Sequence, residues 1–220
     1  MPIAFFDNTT LSAFAIIVDI NNFVKMVTNA TQGATQGKYV AQFTRDTLSH
    51  SIRAIEKHGG EVMAVMGDGV FGIVPRGNDI CAVCEEIAVT VNRECRNISE
   101  HQLNSPEDWD YAPGGLSLKI SIEFGWMSVT TICSHQLGSQ RLIIGPAVNY
   151  ASRIGQAGVG NRCLLGPVAA DMPEFTSRRL RDPVEVAGKS EGGGYFCYEL
   201  CMDELWLAGD HHKEHVSYLI

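Results

Sequence analysis

Short apolar runs alternate along this chain with longer segments in which apolar residues recur every three or four positions. Runs of four to eight apolar or alternating residues are typical of strands that bury one or both faces. On this basis strands are predicted at 12–19, 61–66, 70–74, 116–124, 126–132, 162–166 and 195–200. Residues 126–132 are expected to be the second strand of a hairpin with the run before them.

The helical segments follow from the 3.6-residue pattern and from residues that begin or end helices. Helices are predicted to begin near Phe23 and to cover 38–58, 79–98 and 146–157. Asn21 and Asn22 offer capping oxygens for the first. Gly59-Gly60 ends the second, and Pro146 stands at the first position of the last.

The strands and helices follow the order β-α-β-β-α-β, with further αβ elements behind it. That order predicts an α/β (α+β) protein with a ferredoxin-like sandwich. The 220 residues, 45% of them hydrophobic and 19% charged, suffice for one domain with a sizeable core. We expect that core over about 12–200, a polar surface loop or insertion at 99–115, and a C-terminal tail at 203–220.

Charge and cysteine content exclude some classes of protein. A net charge of −8 argues against direct nucleic-acid binding, because a phosphate backbone requires clustered Lys and Arg. No apolar run reaches the roughly 18 residues of a membrane helix, and the N-terminus lacks a signal-peptide pattern. We therefore expect a cytoplasmic protein. Cys81 and Cys84 form a CxxC within a helical apolar stripe, which favours buried thiols over a redox or zinc site.

Two aspartates stand where predicted strands end. Asp19 ends the run 12–19, and Asp68 lies in the hairpin sequence Gly67-Asp68-Gly69. A carboxylate contributes little to a core at such a position. It is a good ligand for a hard cation such as Mg²⁺, which shares its oxygen ligands with substrate phosphates. The pair therefore predicts phosphoryl-transfer chemistry.

Three segments carry a resemblance to a known family: residues 14–23, residues 59–69 and residues 145–154, the last being Gly-Pro-Ala-Val-Asn-Tyr-Ala-Ser-Arg-Ile. In this order they resemble the class III nucleotidyl cyclase catalytic domain over about 12–200. The resemblance implies an enzyme that converts a nucleoside triphosphate to its 3′,5′-cyclic monophosphate and pyrophosphate.

The resemblance also implies roles for individual residues. Asp19, Ile20 and Asp68 would hold two divalent cations, Mg²⁺ or Mn²⁺. One ion would lower the pKa of the ribose 3′-hydroxyl, and the other would neutralise the leaving pyrophosphate. Asn149 and Arg153, four residues apart on one helix face, would orient the ribose and stabilise charge at the α-phosphate.

Further residues are candidates for phosphate binding. The backbone at Asn21, Asn22 and Phe23 begins a helix next to Asp19, and free N–H groups there attract anions. Lys119 stands where the family often has an arginine. Lys189 ends a Val-Ala-Gly-Lys sequence that has alanine in place of the family's first lysine.

The family forms head-to-tail homodimers. The resemblance implies that Asp19 and Asp68 of one copy face Asn149 and Arg153 of the other. This chain has one such domain, so two copies would supply two composite sites.

The base positions of the family are apolar in this chain. Ala64 stands four residues before Asp68, where adenylate cyclases have lysine and guanylate cyclases glutamate. Leu142 stands three before Gly145, where the family has aspartate, cysteine or serine. An apolar pocket rejects the wrong base poorly.

In these two positions and in its length the chain is similar to the stand-alone uridylate and cytidylate cyclases of bacterial Pycsar anti-phage systems. This similarity implies UTP or CTP as substrate, with UTP favoured. It also implies a cyclic nucleotide product that activates a separate effector protein.

Three alternatives stay open. A purine cyclase could use a rearranged pocket. A catalytically silent relative could bind nucleotide and dimerise only, although such relatives usually lose one of the four family residues kept here. A diguanylate cyclase has a similar fold, but its Gly-Gly-Asp/Glu-Glu-Phe motif is not matched, because Val62 and Met63 follow Gly59-Gly60-Glu61.

Overall fold

An extended sheet with helices on both faces forms the part of the chain that this computed structural model describes. The described residues are 9–21, 23–24, 27, 34–90, 117–136, 138–156, 162–176, 182–186 and 195–200. The strands are Thr9–Asn21 (β1), Glu61–Met66 (β2), Gly69–Pro75 (β3), Ser117–Ser134 (β4), Gly138–Ile144 (β5), Arg162–Leu165 (β6), Val184–Val186 (β7) and Tyr195–Leu200 (β8). The helices are Ala34–Lys57 (α1), residues 80–90 (α2), Pro146–Gly155 (α3), Pro167–Ala170 (α4) and Pro173–Thr176 (α5), and residues 23, 24 and 27 are also helical.

The strand order is β2-β3-β1-β4-β6-β8-β7, with β5 paired to β4 outside that path. The first four strands are antiparallel to their neighbours, with β1 between β3 and β4. This is the ferredoxin-like arrangement of a β-α-β-β-α-β chain. The fold prediction from the sequence is therefore confirmed.

Side chains of β1 alternate between two cores. The main core lies on one face, where Phe14, Ile16, Val18 and Ile20 pack with residues of α1 and α2. The second core lies on the other face, and its buried members are Ala13, Ala15, Phe71, Ile73, Met127, Val129, Ile143, Ala147 and Ala151. Because successive strand residues point to opposite faces, Asp19 lies on the face of the second core.

One strand prediction is wrong. Residues 126–132 are not the second strand of a hairpin, because β4 continues through them to Ser134, and the hairpin partner is β5. The sequence shows a weak break at Gly125, but the ladder with β1 passes through it without interruption. Met127 and Val129 then continue the buried alternation into the second core.

The remaining elements agree with the prediction apart from their ends. The described part of α2 covers 80–90 of the predicted 79–98, and Cys81 and Cys84 are buried in the main core. Sequence reasoning did not predict β5, β7, α4 or α5, of which the last three are only three or four residues long. The predicted insertion at 99–115 and the tail at 203–220 lie outside the described residues. Within the described part, no helix has the length and apolarity needed to cross a membrane.

Candidate active site

Asp19 and Asp68 lie together at one end of the sheet. Asp19 is the third-last residue of β1 and is in register with Gly69, the first residue of β3. Asp68 lies in the two-residue turn between β2 and β3, where Gly67 adopts a positive φ of 56° that favours glycine. The Ile20 N–H donates a hydrogen bond of 3.1 Å to the Asp68 carbonyl, which ties this turn to the end of β1.

The two carboxylates interact electrostatically. Burial raises the pKa of Asp19 above its usual value, the positive charge of Lys119 opposes that shift, and the negative charge of Asp68 adds to it. Lys119 is in register with Asp19 on β4, and its Nζ lies 3.3 Å from Asp19 Oδ2. A site with two close carboxylates therefore already holds one cationic side chain.

The charges continue along the same row of the sheet. Arg162 on β6 is in register with Lys119, and both point to the face opposite the main core. Arg162 Nη1 lies 3.6 Å from Glu199 Oε2, and both side chains are buried. Sequence reasoning did not single out Arg162 or Glu199, because a single charge in a short late strand has no local partner to mark it.

The carboxylates suit divalent ions that are shared with a substrate. In the described part of the chain, no group of three or more His, Cys, Asp or Glu side chains could hold a metal by itself. Mg²⁺ is commonly bound through one or two carboxylates together with substrate phosphates and water. Asp19 and Asp68 fit that pattern, since they supply two carboxylates and leave most ligand positions for the phosphates.

Asn149 and Arg153 lie on the outer side of α3. Ala147, Ala151 and Ile154 are the buried residues of this helix. Asn149 is exposed and Arg153 half-buried, and at helical spacing they fall on the side away from that buried stripe. The two predicted catalytic residues thus share one helix face, and that face does not pack on the sheet of its own chain.

The start of α3 is fixed by a close backbone approach. A Cβ on Gly145 would lie 2.5 Å from the Trp126 carbonyl oxygen and 2.8 Å from the Met127 Cα. Only glycine therefore fits between α3 and β4. The Gly145 carbonyl accepts the Asn149 N–H at 3.1 Å, which sets the first turn of the helix. Further along α3, the Tyr150 hydroxyl donates a hydrogen bond to the Phe196 carbonyl and accepts one from the Phe196 N–H, both at 3.0 Å.

The predicted phosphate-binding residues are only partly described. The Ile20 side chain packs in the main core, so only the Ile20 backbone is available for binding next to Asp19 at the end of β1. The backbone of Asn21 is in register with Ser117, and Phe23 is helical and packs against the main core. Asn22 and Lys189 lie outside the described residues, and their roles stay predictions.

The predicted base positions lie on opposite sides of the sheet within one chain. Ala64 is in register with Phe71 and packs at the edge of the second core. On β5, Ile143 is buried in the second core, so its neighbour Leu142 points to the opposite side, where it is 39% exposed. The β5 residue on the Ala64 side is Arg141, which forms an ion pair with Glu61 of β2. Sequence reasoning did not identify this pair.

A further buried carboxylate has a structural role. Glu123 Oε1 accepts the N–H groups of Phe124 at 2.7 Å and Ala169 at 2.8 Å, and so binds the first turn of α4. Burial raises its pKa, and these backbone hydrogen bonds oppose the shift. Its acceptor oxygen is thereby occupied by the backbone.

Solved structures similar to this one include nucleotide cyclases and a class III adenylyl cyclase-like ATP-binding protein from Pseudomonas aeruginosa, although no protein-family model and no curated protein matches the sequence. The guanylyl cyclase Cya2 superposes with a TM-score of 0.65 and 15% identity, over 89% of this chain and 94% of that one. The adenylyl cyclase CyaB from P. aeruginosa has a TM-score of 0.64 and 16% identity, over 90% and 97%. A non-canonical dimeric guanylyl cyclase domain from the aquatic fungus Blastocladiella emersonii has a TM-score of 0.58 and 15% identity, over 87% and 97%. At these identities the likeness shows the fold, and the chain has the class III cyclase fold.

Proposed function

We propose that this protein is a class III nucleotidyl cyclase, which closes a nucleoside triphosphate to its 3′,5′-cyclic monophosphate and releases pyrophosphate. The observation that carries the proposal is the row of charged side chains at the end of the sheet, formed by Asp68, Asp19, Lys119 and Arg162 and called the Asp19 row below. There burial and the negative charge of Asp68 raise the pKa of Asp19, and Lys119 Nζ lies 3.3 Å from Asp19 Oδ2. Carboxylates for cations and an ammonium for phosphate are the groups that triphosphate chemistry requires.

We further propose that a complete site is built from two copies of the chain. Support comes from α3, whose outer face carries Asn149 and Arg153 away from its own sheet. In a head-to-tail dimer this face of one copy would meet the Asp19 row of the other. Arg153 would then bind the α-phosphate oxygens, and Asn149 would orient the ribose.

The roles within the Asp19 row follow from charge. Asp19 and Asp68 would hold two Mg²⁺ or Mn²⁺ ions, which supply a more acidic 3′-hydroxyl and charge neutralisation for the leaving pyrophosphate. Lys119 would exchange Asp19 for a phosphate oxygen when a nucleotide binds. Arg162 stays paired with Glu199, which neutralises its charge, so Lys119 is the cation of this row that would meet the phosphate.

The substrate that we favour is a pyrimidine nucleotide, UTP before CTP, with the cyclic product acting on a separate effector in anti-phage defence. Support comes from Ala64, which offers no polar group at a position where purine cyclases have one. Leu142, the other apolar base position of the sequence, points to the opposite side of the sheet and adds no support. The alternative is a purine cyclase with a rearranged pocket, and the names of the similar structures, adenylyl and guanylyl cyclases, favour it.

Incubation of the purified protein with each of the four NTPs and Mn²⁺ tests both levels of this proposal. We expect a cyclic pyrimidine monophosphate and pyrophosphate in equal amounts, separated by chromatography. Cyclic AMP or cyclic GMP as the main product would end the pyrimidine proposal and leave the cyclase intact. No cyclic product with any NTP, from a protein that still binds Mn²⁺ and nucleotide, would favour a silent relative.

Replacing Lys119 by methionine should change metal binding before any nucleotide is present. The ammonium now neutralises Asp19 at 3.3 Å, and a half-buried pair of this kind corresponds to about a threefold to tenfold change in affinity. We therefore expect tighter Mn²⁺ binding to the nucleotide-free variant and weaker binding of inorganic triphosphate, both measured by calorimetry. Lys57→Met, which removes an exposed lysine paired with Glu86, is the control. Equal Mn²⁺ affinities in all three proteins would contradict the exchange.

A further inference from the structure

The ion pair between Glu61 and Arg141 joins two strands that are not neighbours in the sheet. β2 is an edge strand that pairs with β3, and β5 pairs with β4. β1 lies between β3 and β4 in the sheet. Arg141 Nη1 nevertheless donates to Glu61 Oε1. The sheet therefore coils until β5 stands opposite β2 above the second core.

A bulge in β2 puts Glu61 on the same face as Ala64. Residues three apart in a regular strand lie on opposite faces. The register between β2 and β3 shifts between Val62 and Ala64, so Glu61 pairs with Ile73 and Ala64 with Phe71. Phe71 and Ile73 both belong to the second core. The extra residue of the bulge therefore brings the charge of Glu61 beside the base position Ala64.

The pair lies beside the apolar side chains of the second core, and Thr131 of β4, in register with Arg141, is a polar neighbour. Met63, Ala64, Phe71, Ile73 and Ile143 contribute to the second core or pack against it. An apolar surface distinguishes bases poorly, whereas a hydrogen-bonding group that would be left unpaired rejects the wrong base strongly. Glu61 and Arg141 keep 30% and 43% of their side-chain surface exposed, so a ligand can reach both.

Resting on the proposed cyclase function, we propose that Glu61 and Arg141 recognise the base and select an edge in which a carbonyl stands beside an N–H. Arg141 has only donors to offer, and an ionised Glu61 only acceptors. Uracil presents such an edge at O4 and N3–H, and guanine presents one at O6 and N1–H. In the orientation that we propose, Arg141 faces the carbonyl and Glu61 the neighbouring N–H. Cytosine and adenine present an amino group beside a bare ring nitrogen, and in that same orientation their edge would set donor against donor and acceptor against acceptor. The pair therefore selects UTP over CTP and, in the purine series, GTP over ATP.

Exchanging the two side chains tests this pairing. The double variant E61R/R141E keeps an ion pair between β2 and β5 and reverses the donor and the acceptor. We expect the wild type to prefer UTP over CTP, and GTP over ATP, by at least about tenfold in kcat/KM, and the double variant to reverse both ratios. Glu61→Gln is the second variant. Because its amide can both donate and accept, the ratios should fall towards one.

A matched control and a second readout keep the test decisive. The variant K57E/E86K exchanges another ion pair, between α1 and α2, and should leave the base ratios unchanged. Nucleotide affinity measured by calorimetry with Ca²⁺ reports the same ratios without turnover. If the wild type binds nucleotides with these ratios but forms no cyclic product, the cyclase proposal fails while base recognition stands. A wild type that prefers CTP and ATP, or ratios that E61R/R141E and Glu61→Gln leave unchanged in both readouts, would overturn the inference.

Discussion

Replacing Asp68 by alanine should lower cyclase turnover by on the order of 10³-fold, because one of two carboxylates for the ions would be lost. The same loss is expected for Asp19→Ala. The Asp68 side chain lies at a turn that is held by the backbone bond from Ile20 to the Asp68 carbonyl. That bond does not involve the carboxylate, so the fold should survive the change.

The measurement is cyclic nucleotide formation at saturating Mn²⁺ and NTP, together with the thermal midpoint of unfolding. Asp182→Ala removes an exposed carboxylate just before β7 and serves as the matched control. Its turnover should equal that of the wild type. Full activity in Asp68→Ala would show that the assignment of this aspartate as an ion ligand is wrong.

Mixing two inactive variants should restore activity if the site is shared between copies. Asp19→Ala disables one half of a composite site, and Arg153→Ala disables the other half. In a mixed dimer one of the two sites then has both halves intact, and the second site has neither. Random exchange makes about half of the dimers mixed, so activity should return to about a quarter of the wild-type value.

The control is a mixture of Asp19→Ala with Asp68→Ala. Both substitutions fall in the same half of the site, so every mixed dimer has two damaged sites and activity should stay absent. Subunit exchange is followed separately with two affinity tags. If the Asp19→Ala and Arg153→Ala proteins exchange subunits and still show no turnover, the shared-site dimer is ruled out.

Strand and helix types could be predicted locally because burial imposes a period on the sequence. β1 shows as a continuous apolar run because both of its faces are buried, and the aspartates at strand ends interrupt such runs visibly. The same local reasoning failed at 126–132. There the strand simply continues, because the backbone of β1 extends far enough to pair with it to Val129. How far a ladder extends depends on its partner strand and cannot be obtained from one segment.

The sequence by itself determined the order of elements from β1 to β4, the two aspartates and the Asn149–Arg153 spacing, because each depends on neighbours within a few residues along the chain. Only the tertiary structure decided what those residues meet. Lys119 contacts Asp19 one hundred residues away because their strands share a register. Arg141 reaches Glu61 because the sheet coils and β2 carries a bulge. Contacts of this kind depend on strand register and twist, which the whole sheet sets and no local pattern records.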